Sequence, residues 1–249
     1  MKLGLGLRSS RRGGSFSPAS LFAGGVGGAF YQPSDLSTLY SDIAGTTAAV
    51  VNGPVGKMLD KSGNGNHLTS PVDACRPILR QSGALYYLEF DGTDDGMRAA
   101  FAMTQPMDRI SSVRQISWTS PDNIFSDYDN GVVLALGQDG TSPAIYMQST
   151  FGSNINTSDL AVGSDGVISE RWDGASSSLQ IDLLTALTGS GGSASAGGLL
   201  LACRNADVSN CYATANIRFY GAFQRSGTLS AAEKLQVQNY MAALQGRTL

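Results

Sequence analysis

The acids that could do chemistry in this chain crowd into one stretch: Glu89, Asp91, Asp94 and Asp95. Glu89-Phe-Asp91 ends an aromatic-rich segment, Ala84-Leu-Tyr-Tyr-Leu-Glu-Phe90, whose content predicts a strand. Alternate residues of a strand share a face, so two carboxyl groups would stand side by side. A retaining glycosidase needs two such groups about 5–5.5 Å apart, one as nucleophile and one as acid/base. The pattern then breaks at Gly92, no second Glu completes E-x-D-x-E, and Asp95 falls in the turn Asp91-Gly-Thr-Asp-Asp-Gly96. That break argues against catalysis by this pair. Asp91, Asp94 and Asp95 also offer oxygens of the kind Ca²⁺ takes, although the first Asp serves equally to cap a reversal.

The rarer residues narrow the chemistry further. Histidine occurs once, at His67, which excludes the HExxH metalloproteases and other two-histidine mechanisms. It closes the turn cluster Asp60-Lys-Ser-Gly-Asn-Gly-Asn66 and is expected to pack or hydrogen-bond against the body of the fold. Cys75, Cys203 and Cys211 have no CxxC spacing and do not read as a zinc site. Cys203 and Cys211 could face each other across a hairpin and pair in an oxidising compartment, or all three could be buried thiols. No GxSxG elbow, Walker A loop or helix-opening GxGxxG occurs. Trp118, Tyr128, Tyr146 and Trp172, beside Asp127-Tyr-Asp-Asn130 and Asp173-Gly174, are candidates for a sugar-stacking platform. Most aromatic residues must nevertheless serve the core.

The elements that would position these groups are short strands. Candidates at Arg109–Trp118, Val132–Leu136, Ala144–Gln148, Val167–Trp172, Ser178–Leu184, Leu199–Arg204 and Ala215–Phe223 are separated by turn signals, the pattern of a sandwich or barrel. The glycine-rich run 189–198 lies between two of them and reads as a loop within one domain. One helix closes the chain over 230–245. Ser230-Ala-Ala-Glu233 forms a capping box, Val237, Tyr240, Met241 and Leu244 share a face, and Gly246 suits the C-terminal cap.

Composition sets the outer bounds. The 249 residues include 31 glycines and 15% charged residues, with 42% hydrophobic, which fits one large all-β domain and excludes wholesale disorder. No apolar run approaches the roughly 20 residues of a membrane span. The acidic balance argues against a specific nucleic-acid partner. Residues 1–29 contain Lys2, Arg8, Arg11 and Arg12 and no acid, so a +4 leader precedes a −7 body in a chain of net charge −3. This Gly/Ser-rich leader reads as an arm that either orders on a neighbouring subunit or stays a solvated tail.

Three stretches carry a family resemblance. Leu59-Asp-Lys-Ser-Gly-Asn-Gly-Asn-His67 resembles the D-x-S-G-N-G-N-H signature of concanavalin A-like, laminin-G-type jelly rolls. Tyr87-Leu-Glu-Phe-Asp-Gly-Thr-Asp-Asp95 is similar to the F-D-G-x-D-D strand end that follows it. Ile217-Arg-Phe-Tyr-Gly-Ala-Phe-Gln-Arg225 before Leu229-Ser-Ala-Ala-Glu-Lys234 resembles the closing strand and final helix. The opening, with Ser15-Phe-Ser-Pro-Ala-Ser-Leu-Phe-Ala23 and Tyr31-Gln-Pro-Ser-Asp-Leu-Ser-Thr-Leu39, is similar to leaders of tailed-bacteriophage structural proteins.

The resemblance implies an all-β jelly-roll sandwich over 30–249, preceded by an extended arm and ended by a short helix. It further implies a non-enzymatic virion component, a head decoration or tail-tip and fibre protein, with other virion subunits as partners and oligomeric in the particle. Its arm would attach through Leu3, Leu5, Leu7, Arg8, Arg11, Arg12, Phe16, Leu21 and Phe22. The alternatives are a glycan- or receptor-binding module acting at a host surface, and a glycoside hydrolase using Glu89 and Asp91. No cofactor is expected, Ca²⁺ at the Asp91 cluster being the one candidate.

Overall fold

Alternation of side chains decides which surface each strand buries. In Leu85–Asp91, Leu88 and Phe90 are fully buried while Glu89 and Asp91 face outward. In Met107–Gln115 every residue but Arg114 is buried, because both faces of that strand are covered. Val113 joins the main core, whereas Ile110 joins a second cluster beneath the C-terminal helix. The computed structural model describes residues 16–127, 134–138, 140–149, 152, 154–204, 211–212 and 214–249.

The strands form two antiparallel sheets that pack face to face. One has eight strands among the described residues, in the order Leu187–Gly189, Ser177–Ile181, Asp165–Trp172, Met107–Gln115, Asn216–Ser226, Leu85–Asp91 and Ile78–Ser82. Its eighth strand, Gly28–Tyr31, pairs with the far half of Asn216–Ser226. The other sheet has nine, running Ile155–Thr157, Ile145–Ser149, Leu134–Gln138, Asp122–Ser126, Ala196–Leu201, Met97–Met103, Leu68–Thr69, Lys57–Met58 and Leu39–Tyr40. Leu88, Phe90, Phe219 and Ile168 of the first sheet meet Phe125, Leu136, Met147 and Leu201 of the second in one core. The expected all-β, jelly-roll-like sandwich with a short C-terminal helix is therefore present.

The helix spans Ala231–Ala243 and begins as expected: the Glu233 amide donates to Ser230 Oγ, and the Ser230 amide donates to Glu233 Oε2. Val237 and Met241 are fully buried against Ile110, Val167 and Phe223. The helix can approach this closely because Gly221 has no side chain. A Cβ there would stand 2.8 Å from Leu244 Cδ1 and 3.0 Å from the Tyr31 carbonyl oxygen. Among the described residues no helix is long and apolar enough to cross a membrane.

The N-terminal segment differs from the expected arm. Residues 18–22 form a 3₁₀ turn, and Phe22 is buried with its ring centroid 5.1 Å from that of Phe223. Phe16 stacks edge-on against Tyr240, and Arg225 Nε donates to the Leu21 carbonyl. Phe22 thus spends its apolar surface on this chain's own helix cluster, which removes it as a free anchor for a neighbouring subunit, while Phe16 and Leu21 pack against that cluster partly buried. Leu3, Leu5, Leu7, Arg8, Arg11 and Arg12 lie outside the described residues.

An ion pair sits inside the sandwich. Arg109 Nε donates to Glu170 Oε1 at 2.7 Å, Arg109 Nη2 donates to Glu170 Oε2, and the guanidinium lies 4.7 Å from the centroid of the Phe125 ring. The two side chains are 5% and 0% exposed, so neither charge is compensated by water. Removing one partner strands the other. Glu170→Ala is expected to lower the unfolding free energy by about 3–5 kcal/mol in urea titrations, against a loss of about 1 kcal/mol or less for Glu89→Ala, whose side chain is partly exposed.

Candidate functional site

A concavity opens on the outer face of the eight-stranded sheet. Its volume is about 490 Å³, and its walls include Arg76, Arg80, Glu89, Asp91, Asp95 and Asn216. The strand Leu85–Asp91 supplies Glu89 and Asp91 on one face, as their spacing predicts. Its neighbours bring the basic groups: Arg80 Nε donates to Glu89 Oε1 at 3.0 Å, and Arg218 Nε approaches Glu89 Oε2 at 3.5 Å. Asn216 faces Asp91 across the ladder from the last strand. Ile78 and Ile116 add apolar surface to the wall.

The turn after Asp91 folds back into the cleft. Asp91 Oδ1 accepts the Thr93 and Asp94 amides at 2.7 and 3.4 Å, while the Asp91 amide donates to Asp95 Oδ2 at 3.0 Å. Gly92 permits this at φ +75°, with Asn216 packed against its α-carbon. The result is that oxygens of Asp91, Asp94 and Asp95 lie within 4.8 Å of one another, the first two exposed and Asp95 buried. Burial, the largest cause, pushes the Asp95 carboxyl up to about 7, and the charges of Asp91 and Asp94 add to it while the Asp91 amide opposes it. A proton that leaves near neutrality, beside two exposed carboxylates, is the equipment of acid/base chemistry. Three carboxylates gathered this way are also the kind of oxygen donors that Ca²⁺ takes, with Asp91 Oδ1 and Asp95 Oδ2 already accepting backbone amides.

The sugar-stacking platform is not assembled as expected. Trp172 is 1% exposed and belongs to the main core, and Tyr146 is buried. Trp118 is half-buried, its indole N–H donating to the Ala144 carbonyl at 2.9 Å. Tyr128 lies outside the described residues. Asp173 and Gly174 line a smaller hollow of about 240 Å³ with Gln105 and Ser193, away from the acidic turn. Sequence reasoning missed Arg76 and Arg80, which flank and line the adjoining hairpin strand, and Asn216, which reaches the cleft through long-range strand pairing, and it placed Asp95 in the turn without its return contact.

No protein-family model matches the chain, and no curated protein matches it. Solved structures do. An arabinofuranosidase in complex with arabinofuranosyl-α-1,2-xylobiose superposes with a TM-score of 0.59 at 15% identity, over 92% of this chain and 65% of that one. Domain 4 of AbnA, an extracellular arabinanase from Geobacillus stearothermophilus in complex with arabinotriose, gives 0.57 at 13% identity, over 82% of this chain and 94% of that domain. Trypanosoma rangeli sialidase in its covalent-intermediate complex gives 0.57 at 10% identity, over 88% of this chain and 34% of that one. The shared feature is the fold. The chain spans just under two thirds of the arabinofuranosidase and about a third of the sialidase. These neighbours correct the expectation of a non-enzymatic virion component: they are carbohydrate-active proteins solved with sugars or sugar analogues, and none is a phage particle protein.

The raised Asp95 carboxyl has a consequence for stability. The folded chain holds this proton more tightly than the unfolded chain, whose aspartates titrate near about 3.9. Between about pH 4 and 7 the folded state therefore binds more protons, and stability falls as pH rises through that window. Asp95→Asn is expected to remove this slope, matching the parent near pH 4 and exceeding it at pH 8 by on the order of 2 kcal/mol in urea denaturation.

Proposed function

We propose that this chain is a carbohydrate-active β-sandwich that takes a neutral oligosaccharide into the cleft around Asp91, Asp94 and Asp95. The observation that carries the reading is a concave site in which a buried, near-neutral carboxyl stands within 4.8 Å of two exposed ones, flanked by Arg76, Arg80 and Asn216. Sugar hydroxyls both donate and accept, so they need carboxylates and amide or guanidinium donors at close quarters. Ile78 and Ile116 offer apolar surface for the C–H faces of a sugar ring. The arabinanase domain that this chain matches over most of its length was solved with arabinotriose, which makes arabino-oligosaccharides the first ligands to try.

Glycoside cleavage is the second reading, and the carboxyl spacing favours it. Oxygens within 4.8 Å fit the close pair of a retaining mechanism rather than the wider pair, about 6.5–9.5 Å, that leaves room for water in an inverting one. Asp95, protonated up to about pH 7, would hold the proton for the leaving oxygen, and the exposed Asp91 would face the anomeric carbon.

Calorimetric titration with arabinotriose, xylobiose and lactose tests binding. Saturable heat with one of them is expected, weakened about tenfold by Asp94→Ala or Asn216→Ala. Absence of binding to all three at millimolar concentration sinks the reading. Release of 4-nitrophenol from aryl arabinofuranosides tests cleavage, with a loss of about 10²–10⁴-fold expected for Asp95→Asn. Binding without turnover between pH 4 and 9 would leave sugar recognition as the function.

A further inference from the structure

Three thiols gather in the interior directly behind the acidic turn. Cys75, Cys203 and Cys211 are 2%, 0% and 6% exposed and pack together with Leu200 and Val72. Cys203 follows the strand Ala196–Leu201, and the chain returns through an antiparallel bridge in which the Arg204 amide donates to the Tyr212 carbonyl at 2.7 Å. That bridge brings Cys203 and Cys211 to the same side. Their sulfurs lie over one bare α-carbon: a Cβ on Gly96 would stand 2.5 Å from Cys211 Sγ and 2.7 Å from Cys203 Sγ. The Cys211 thiol is in hydrogen-bond contact with Cys203 and also with Cys75. The Cys75 carbonyl accepts the Gly96 amide at 2.9 Å.

We propose that Cys203 and Cys211 are a disulfide-forming pair, closed by a small-molecule disulfide such as oxidised glutathione, with Gly96 keeping the space between the sulfurs clear and Cys75 remaining a thiol. In the first step one protein thiolate attacks the glutathione disulfide, forming a mixed disulfide and releasing one glutathione thiolate. The second protein thiol, losing its proton, then displaces the other glutathione. Two electrons and two protons pass from the protein to the glutathione, and one S–S bond forms within the chain as one is broken outside it. The hairpin bridge favours this pairing over Cys75–Cys211, because few residues separate Cys203 from Cys211 and the geometry of a disulfide demands neighbouring Cβ atoms.

The full chain, unfolded and reduced, is refolded in buffers of increasing oxidised-to-reduced glutathione ratio, alkylated, digested and mapped by mass spectrometry. The expected result is a Cys203–Cys211 linkage that rises with the ratio, one alkylated Cys75, the same linkage in Cys75→Ser, and none in Cys203→Ser. Gly96→Ala, whose methyl group would wedge between the sulfurs without backbone strain, is expected to lower the closure constant about tenfold or more. Three alkylated cysteines at every ratio, or a predominant Cys75–Cys211 linkage, would overturn the proposal. Should Gly96→Ala fail to fold, the two serine variants decide alone.

Discussion

The sandwich depends on one buried carboxylate. Asp60 Oδ1 accepts the Phe30 amide at 2.9 Å and the Ser62 amide at 2.8 Å, and its Oδ2 accepts the Asn66 amide at 3.0 Å and Ser62 Oγ at 2.7 Å. Four donors on one largely buried group tie a turn to a strand that lies some thirty positions earlier in the chain. The side-chain amides of Asn64 and Asn66 complete the tie by donating to the Gly28 carbonyl, and His67 Nδ1 accepts the Asp60 amide. Without this clasp the strand Gly28–Tyr31 would have only its ladder with Asn216–Ser226, and a short edge strand alone is marginal. With it, Phe22, Phe30 and the C-terminal helix close over Phe223.

The clasp also explains why a motif with so many polar residues carries no chemistry of its own. Asp60, Ser62, Asn64, Asn66 and His67 spend their hydrogen-bonding groups on backbone and on one another. The acidic turn after Asp91 is built from the same parts but ends differently. There the Asx-type contacts of Asp91 satisfy the turn, and the remaining carboxyl oxygens stay free to face the cleft. Two turns of like composition thus divide the labour, one holding the fold and one presenting acids.

The fold was legible because period-two alternation and turn residues act over a few positions. The strands Asp165–Trp172, Ser177–Ile181 and Asn216–Ser226 fall where aromatic and β-branched content placed them, and the capped helix begins at the expected serine. Met97–Met103 and Asp122–Ser126 escaped notice, since neither has the β-branched density that announces a strand; pairing with Ala196–Leu201 makes them strands. The site was legible only in part. Glu89 and Asp91 share a face as their spacing requires, but Asn216 arrives from a strand distant in sequence. Trp172 shows the converse error: an aromatic beside Asp-Gly looks like a sugar platform, yet the hydrophobic effect draws its whole ring into the core.

What makes Asp95 unlike its neighbours is the wall behind it. Asp91 and Asp94 look out into water, and Asp95, one residue before Gly96, backs onto the apolar pocket of Leu200, Cys203 and Cys211. Burial against that wall, with the charges of Asp91 and Asp94 adding to it, lets the carboxyl keep its proton to near neutrality. Gly96 serves both sides of this boundary, because a larger residue there would push the sulfurs back and shift the turn that aims Asp95. The chemistry of the cleft and the state of the thiols therefore rest on the same few ångströms of backbone, and a change in one is felt by the other.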